Sequence, residues 1–239
     1  MAATAPDTPV DTRETLASDL TGIPGFLIDP EAAAARLNAK WFWIGPVVVI
    51  SILAIAARIV LLPVTQHVLE IQPLPANVNP EQFQRSIAIG MTIQHIANYA
   101  MPVIVLCLIA VQALILWGSA SVLGIQAKFR SLFNLASGCG VISALAAIAM
   151  AIIVQAKGAS TLAELRPPLG FDILLGDGAN KFLAAFAGYF SVFEIWWIVM
   201  AVLVFSAGFR VSKGRAAAVV APLVVLGLAI HLLSAVFRH

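Results

Sequence analysis

The sequence has few charged residues for its length, and this scarcity excludes most classes of soluble protein. Asp, Glu, Lys and Arg make up 11% of the 239 residues, hydrophobic residues make up 61%, and the mean hydropathy is +0.96. Such a composition lies far outside the range of water-soluble domains. The net charge is only +2, and the sequence shows no basic face with interleaved aromatic residues, so nucleic acid is not expected as a partner.

Cysteine and catalytic motifs are scarce as well. The two cysteines, Cys107 and Cys139, both lie inside apolar segments, which leaves neither a disulfide framework nor a CxxC metal site. No phosphate-binding glycine motif, HExxH zinc motif or Gly-x-Ser-x-Gly nucleophile motif occurs. The sequence therefore predicts a non-enzymatic protein without metal or cofactor. A metal or tetrapyrrole held by His95 and His231 is the alternative.

Long apolar segments are what the sequence does contain. A helix needs about 20 apolar residues to cross the hydrocarbon core of a bilayer. Five windows meet this requirement: residues 43–62, 99–123, 132–154, 181–207 and 216–237. The predicted fold is therefore all-α, a polytopic membrane protein built as a bundle of five transmembrane helices.

The region before the first window divides into two parts. Residues 1–23 are polar and lack apolar periodicity, so we expect a disordered cytoplasmic tail, followed by a membrane domain over residues 24–238. Asp29 and Pro30 form a favourable start for the Ala-rich helix that follows. This helix is predicted to be a short interfacial helix that leads into the membrane, with an ordinary solvated helix as the alternative.

A second helix start lies between the first two windows. Asn79 and Pro80 are typical of a helix N-terminus, and an apolar series follows them. We expect this helix to continue into the second span, with a kink at Pro102 because proline removes a backbone donor.

The distribution of Lys and Arg predicts the orientation. The segments before span one, between spans two and three, and between spans four and five are short and basic, whereas the other linkers are longer and less basic. Cytoplasmic loops of membrane proteins carry an excess of Lys and Arg. The N-terminus is therefore expected in the cytoplasm and the C-terminus outside.

Two charged residues within the spans are candidate functional residues. Glu194 lies near the middle of the fourth window, and Arg58 lies near the outer end of the first. Charged groups in a membrane usually face a protein interior, a water cavity or a partner. Glu194 could relay protons or ions, recognise a partner, or form a neutral hydrogen bond between helices. Arg58 could extend to the interface or pair with Glu194.

Small residues in the third window indicate a packing face. Ala136, Gly140 and Ala144 recur at four-residue spacing, and small residues at that spacing allow helix backbones to approach closely. They are the candidate packing face of the predicted bundle.

Several short motifs in a fixed order point to a family. Together they resemble the bacterial branch of the Ypt-interacting protein (Yip) domain family. The motifs are Gly25 to Pro30 with Trp41 and Pro46, then Pro80 to Gln82, Gly124 to Phe133, Phe190 to Trp196, and Gly208 with Lys213 to Ala216.

The resemblance implies a five-span integral membrane protein with a cytoplasmic N-terminus. Eukaryotic members of that family act in early secretory traffic, bind Rab-type GTPases through the N-terminal region and associate with Yif proteins. The Asp-Leu-Tyr-Gly-Pro signature of that region is absent here, so Rab binding is not carried over. In bacterial relatives position 194 is variable, which puts a family-wide role for Glu194 in doubt.

These observations favour a scaffold or accessory subunit that acts through helix packing and partner binding. The expected partners are membrane lipids and either another membrane protein or a second copy of the chain. The expected location is the bacterial inner membrane. The alternative is a transport or lipid-moving component that uses a polar interior around Glu194.

Overall fold

The computed structural model describes residues 22–71, 79–161, 164, 165, 167, 169–175 and 179–236, and within them the fold is built from α-helices. Five helices are long and apolar enough to cross a membrane, which confirms the predicted all-α, five-span fold. The α-helices are α1 (Gly25–Ile28), α2 (Pro30–Arg36), α3 (Ile44–Ile71), α4 (Pro80–Tyr99), α5 (Met101–Val122), α6 (Phe129–Lys157), α7 (Lys181–Tyr189), α8 (Val192–Phe209) and α9 (Lys213–Val236). A short 3-10 helix (Phe171–Leu174) precedes α7.

The first and third spanning helices extend beyond their predicted windows. At 1.5 Å per residue, α3 and α6 are each roughly 43 Å long, whereas a hydrocarbon core is about 30 Å thick. Helix α3 continues through Pro63, although the first predicted window ends at residue 62. Both helices are therefore longer than the hydrocarbon core is thick, so in an upright orientation their ends would reach the headgroup region.

Helix α6 is the centre of the bundle, and small residues let its neighbours approach it. Ala136 and Ala144 are buried. A Cβ atom placed on Gly140 would lie 3.0 Å from Cδ1 of Ile50, which shows how closely α3 packs there. Helices α3, α5 and α8 all pack on α6.

The two ends of the bundle differ in charge. We call the basic end the one formed by residues 22–43, the linkers 123–128 and 210–212, and the first turns of α6 and α9. Its cationic residues are Arg36, Lys40, Lys128, Arg130, Arg210, Lys213 and Arg215. We call the far end the opposite one, where α6 ends at Lys157 and the linker 158–180 begins.

Both helix starts predicted from sequence are present. The Asp29 side chain accepts hydrogen bonds from the backbone N–H groups of Glu31 and Ala32, each at 3.1 Å. The Asn79 side chain accepts one from Glu81 N–H at 2.9 Å. Helices α4 and α5 are separated by Ala100, so the continuous, kinked helix expected here is two helices, with Pro102 in the first turn of α5.

The short N-terminal helices pack into the bundle rather than only lying on its surface. Phe26, Ala33 and Phe42 are completely buried, and Leu37 is nearly so. Helix α1 contacts α6 and α8, and α2 packs along α8. The disordered tail was expected over residues 1–23; residues 1–21 lie outside the described residues, whereas Gly22 and Ile23 belong to the described structure and Ile23 is buried.

The fourth window forms two helices. Helix α7 ends at Tyr189, Phe190 and Ser191 leave the helical conformation, and α8 begins at Val192. An isolated antiparallel bridge pairs Ser191 with Gly170 of the far-end linker. This break positions the candidate site.

Candidate functional site

Glu194 lies in the first turn of α8. The sequence had instead indicated a position in the middle of one continuous helix. Ser191 precedes the helix, and its hydroxyl oxygen accepts a hydrogen bond from Glu194 N–H at 3.1 Å. The first turn of a helix has unsatisfied N–H groups and a favourable potential for a carboxylate. The prediction was wrong because hydropathy averaged over the whole window 181–207 cannot detect a two-residue interruption.

Tyr189 connects three helices at this break. Its hydroxyl group lies 3.1 Å from Oε1 of Glu194 on α8 and 3.1 Å from the backbone oxygen of Val224 on α9. Tyr189 itself is the last residue of α7. A Cβ atom on Gly227 would lie 2.6 Å from the same hydroxyl oxygen, so only glycine fits there without a shift. The carboxyl group of Glu194 therefore takes part in a link between helices.

A local signal for this break was present in the sequence and was missed. Ser191 and Glu194 have the Ser-x-x-Glu spacing of a capping box, which marks helix N-termini. The structure shows one half of that motif, the bond to the Ser191 oxygen, while the carboxylate side chain contacts Tyr189 instead. No local signal identifies Tyr189 as its partner.

Arg58 and Glu194 are engaged with different residues. Arg58 Nη1 donates to Oδ1 of Asn98 at 3.4 Å, which ties α3 to the last turn of α4. Among the described residues Glu194 has Tyr189 as its side-chain partner. The structure thus places the two charged candidates in separate interhelical contacts.

The remaining candidate ligands do not form a metal site within the described part of the chain. His95 is exposed on α4, and the His231 ring lies beside the Tyr189 ring at a centroid distance of 6.0 Å. Cys107 is exposed and Cys139 is buried. The described residues contain no group of three or more His, Cys, Asp or Glu side chains arranged to hold a metal ion.

A second polar arrangement holds the N-terminal segment against the bundle at the basic end. The indole N–H of Trp196 on α8 donates to the backbone oxygen of Leu27 at 2.8 Å. The Phe26 ring occupies the space beside Gly138 of α6, where any Cβ atom would overlap it, and stacks on Phe42 at 5.0 Å. Helix α8 thus binds the backbone of the N-terminal segment, and helix α6 packs against its Phe26 side chain.

Polar side chains at the start of α6 bind the chain just after α2. Asn134 Nδ2 donates to the backbone oxygens of Leu37 at 2.9 Å and Ala39 at 2.8 Å. Ser131 donates to the Asn38 side chain at 2.9 Å, and Arg130 donates to the Asn38 backbone oxygen at 3.2 Å. Carbonyl groups that follow a helix need such donors because they have no partner within it.

The two linkers of the basic end are also joined. Arg215 Nη2 donates to the backbone oxygen of Leu123 at 2.7 Å, which connects the start of α9 to the end of α5. Arg210 closes α8 in the left-handed conformation with φ of 52°, and Ser206 donates to the Val211 oxygen at 2.7 Å. These bonds connect the two linkers into one surface.

Comparison with known proteins identifies the family. Two of the motifs noted in the sequence are in direct contact, since the Trp196 indole donates a hydrogen bond to the Leu27 backbone oxygen. We found no match to a curated protein and none to a solved structure. The model of the Yip1 domain family matches residues 25–234. The chain is a membrane protein that belongs to the Yip1 domain family.

Proposed function

We propose that this protein is a non-enzymatic membrane scaffold or accessory subunit that binds another membrane protein, or a second copy of itself, through its basic end. The Yip1 family is a family of non-enzymatic membrane proteins, which supports this class of function. The observation that carries the proposal is the connected surface formed at the basic end by the N-terminal segment and two linkers.

The hydrogen bonds of the polar groups within the spans support a scaffold function. Glu194 contacts Tyr189, Arg58 contacts Asn98, and Asn134 holds two backbone carbonyls. Each of these groups joins one helix or segment to another. Polar groups with packed partners stabilise a single arrangement of helices, which a docking platform requires. The Tyr189 hydroxyl group bonds across the break in the fourth span, so the polar groups there are engaged with one another.

The charge of the basic end supports partner binding there. Lys128 and Lys213 are exposed, and no hydrogen bond or ion pair is recorded for their side chains among the described residues. Arg130 and Arg215, by contrast, donate hydrogen bonds to the backbone oxygens of Asn38 and Leu123. A partner that presents carboxylates or phosphate groups would complement the two lysines.

Co-purification with charge reversal tests the proposal. The full-length protein is isolated in mild detergent after chemical cross-linking in its native membrane, and a stoichiometric partner or a cross-linked dimer is expected. Lys128→Glu together with Lys213→Glu should remove that species without changing expression. Lys157→Glu at the far end is the matched control and should retain it. A protein that stays monomeric under all conditions would contradict the proposal.

We also propose that the basic end faces the cytoplasm and that the host membrane is a bacterial inner membrane. The excess of Lys and Arg at that end follows the positive-inside rule. Exposed sites for single cysteines exist at Gly214 near the basic end and at Ser160 near the far end. In a background without Cys107 and Cys139, a membrane-impermeant maleimide should label Ser160→Cys in intact spheroplasts. Gly214→Cys should be labelled only after permeabilisation.

Glu194 has a structural role in this proposal. The Tyr189 hydroxyl carries one hydrogen and lies equally close to Glu194 and to the Val224 carbonyl. A neutral Glu194 that donates to Tyr189, while Tyr189 donates to Val224, would give each of these oxygens a hydrogen-bond partner. A neutral, hydrogen-bonded carboxyl group is also the least costly form in a membrane interior.

A further inference from the structure

A cavity of about 470 Å³ lies beside the break, between the far-end halves of α6 and α9. Ala146 and Met150 of α6 form one side, and Ile230 and Ser234 of α9 form another. The break closes the third side, and Pro167, Leu169 and Asp172 of the far-end linker also line the cavity. Cavities that bind small molecules range over roughly 300–1,000 Å³, so this one has the size of a ligand site.

Close backbone contacts build the walls of this cavity. A Cβ atom on Gly188 would lie 2.8 Å from Oδ2 of Asp172, and one on Gly170 would lie 2.7 Å from the Gly188 backbone oxygen. Gly170 N–H donates to Oδ1 of Asp172 at 3.1 Å. The linker is thus fixed against α7 with its carboxylate at the cavity, and the space does not result from loose packing of these elements.

The lining of the cavity has an apolar side and an acidic polar side. The apolar side includes Met150, Leu169 and Ile230, while Asp172 and His231 belong to the polar side. No Lys or Arg is among the described residues that line it. Asp172 is the acidic residue among the described residues that line the cavity, and a carboxylate attracts a cation and disfavours an anion. The lining therefore fits an amphiphile with an alkyl chain and a terminal ammonium group.

We propose that the cavity binds one amphiphile whose ammonium group contacts Asp172 and whose alkyl chain lies against Met150, Leu169 and Ile230. Two sources share this chemistry: the headgroup of an ethanolamine phospholipid and a free long-chain amine. This site lies near the far end of the bundle. It is independent of partner binding at the basic end, and either proposal can fail without the other.

Lipid retention measured by native mass spectrometry tests the site. The full-length protein is equilibrated with mixed micelles that contain equal amounts of phosphatidylethanolamine and phosphatidylglycerol, and in a second arm with dodecylammonium. One phosphatidylethanolamine per protein is expected to be retained in preference to phosphatidylglycerol.

Asp172→Asn should weaken this retention about tenfold, the value of one hydrogen bond between charged groups. Glu164→Gln, on the same linker but outside the cavity, is the matched control and should leave it unchanged.

A second pair of variants tests the cavity without altering charge. Ala146→Phe should fill the cavity from α6 and abolish retention of both ligands, whereas Ile152→Phe on the exposed side of the same helix should not. If Asp172→Asn fails to fold, the comparison of Ala146→Phe with Ile152→Phe still tests whether the ligand occupies this cavity. Retention of dodecylammonium alone would assign the site to free amines. Equal retention of both lipids, unchanged in Asp172→Asn and Ala146→Phe, would overturn the proposal.

Discussion

Replacement of Gly138 by alanine should destabilise the protein, although alanine normally favours a helix. Gly138 lies within α6, and a Cβ atom there would overlap three ring carbons of Phe26. Phe26 is completely buried and stacks on Phe42, so its ring has no free space into which to shift. The variant should therefore displace Phe26 and the segment that carries it.

The magnitude follows from two opposing terms. Loss of a buried phenylalanine side chain costs about 3–5 kcal/mol. Alanine in place of glycine inside a helix stabilises it by about 0.5–1 kcal/mol. The difference predicts a net loss of about 2–4.5 kcal/mol for Gly138→Ala. Gly118→Ala is the matched control because a Cβ atom there has no neighbour within 4 Å, and this variant should be slightly more stable than the wild type.

Two measurements check this prediction. The first is the thermal unfolding midpoint in detergent, where Phe26→Ala combined with Gly138→Ala should lose little more than Phe26→Ala alone. The second is maleimide labelling of Ala33→Cys, which is buried in the wild type and should react in the Gly138→Ala background. A Gly138→Ala protein that matches the wild type in stability and still protects residue 33 would refute the reasoning.

Four further predictions concern single contacts. Trp196→Phe leaves a backbone carbonyl without its donor and should cost about 1–3 kcal/mol of stability, measured by thermal unfolding. Asn134→Asp places a carboxylate against two carbonyl oxygens, so it should be more destabilising than Asn134→Ala in the same assay. Glu194→Gln should preserve expression and a monodisperse elution profile, because an amide can still bond Tyr189; collapse of the solubilised protein would count against a neutral Glu194. Arg210→Gly should raise the unfolding midpoint by the equivalent of about 1 kcal/mol, since glycine tolerates the left-handed conformation; a lower midpoint would show that the side chain of Arg210 matters more than its backbone.

The parts of the fold that sequence predicts well depend on local properties. Five spans follow from hydropathy, which needs no knowledge of neighbours. The starts of α2 and α4 follow from Asp29 and Asn79, because a capping side chain binds backbone groups only two or three residues away. Such features can be read from a single sequence.

The parts that it predicts poorly depend on distant contacts. The bond from Trp196 to Leu27 joins residues 169 positions apart, and nothing in either local sequence indicates the other. Tyr189, the partner of Glu194, precedes the break, and nothing in the surrounding apolar sequence indicates that it contacts Glu194. Glu194 was therefore recognised as a special residue while its position in the helix and its partner were not.

The docking of the N-terminal segment has a consequence for the order of assembly during synthesis. Residues 22–43 leave the ribosome well before the helices against which they pack, because Gly138 on α6 and Trp196 on α8 follow more than 90 residues later. The Phe26 side chain and the Leu27 carbonyl must wait for these helices to insert. A nascent chain that ends before α8 would thus contain residues 22–43 without their contacts to that helix. Complete docking of this segment therefore requires that the fourth span has been synthesised and inserted.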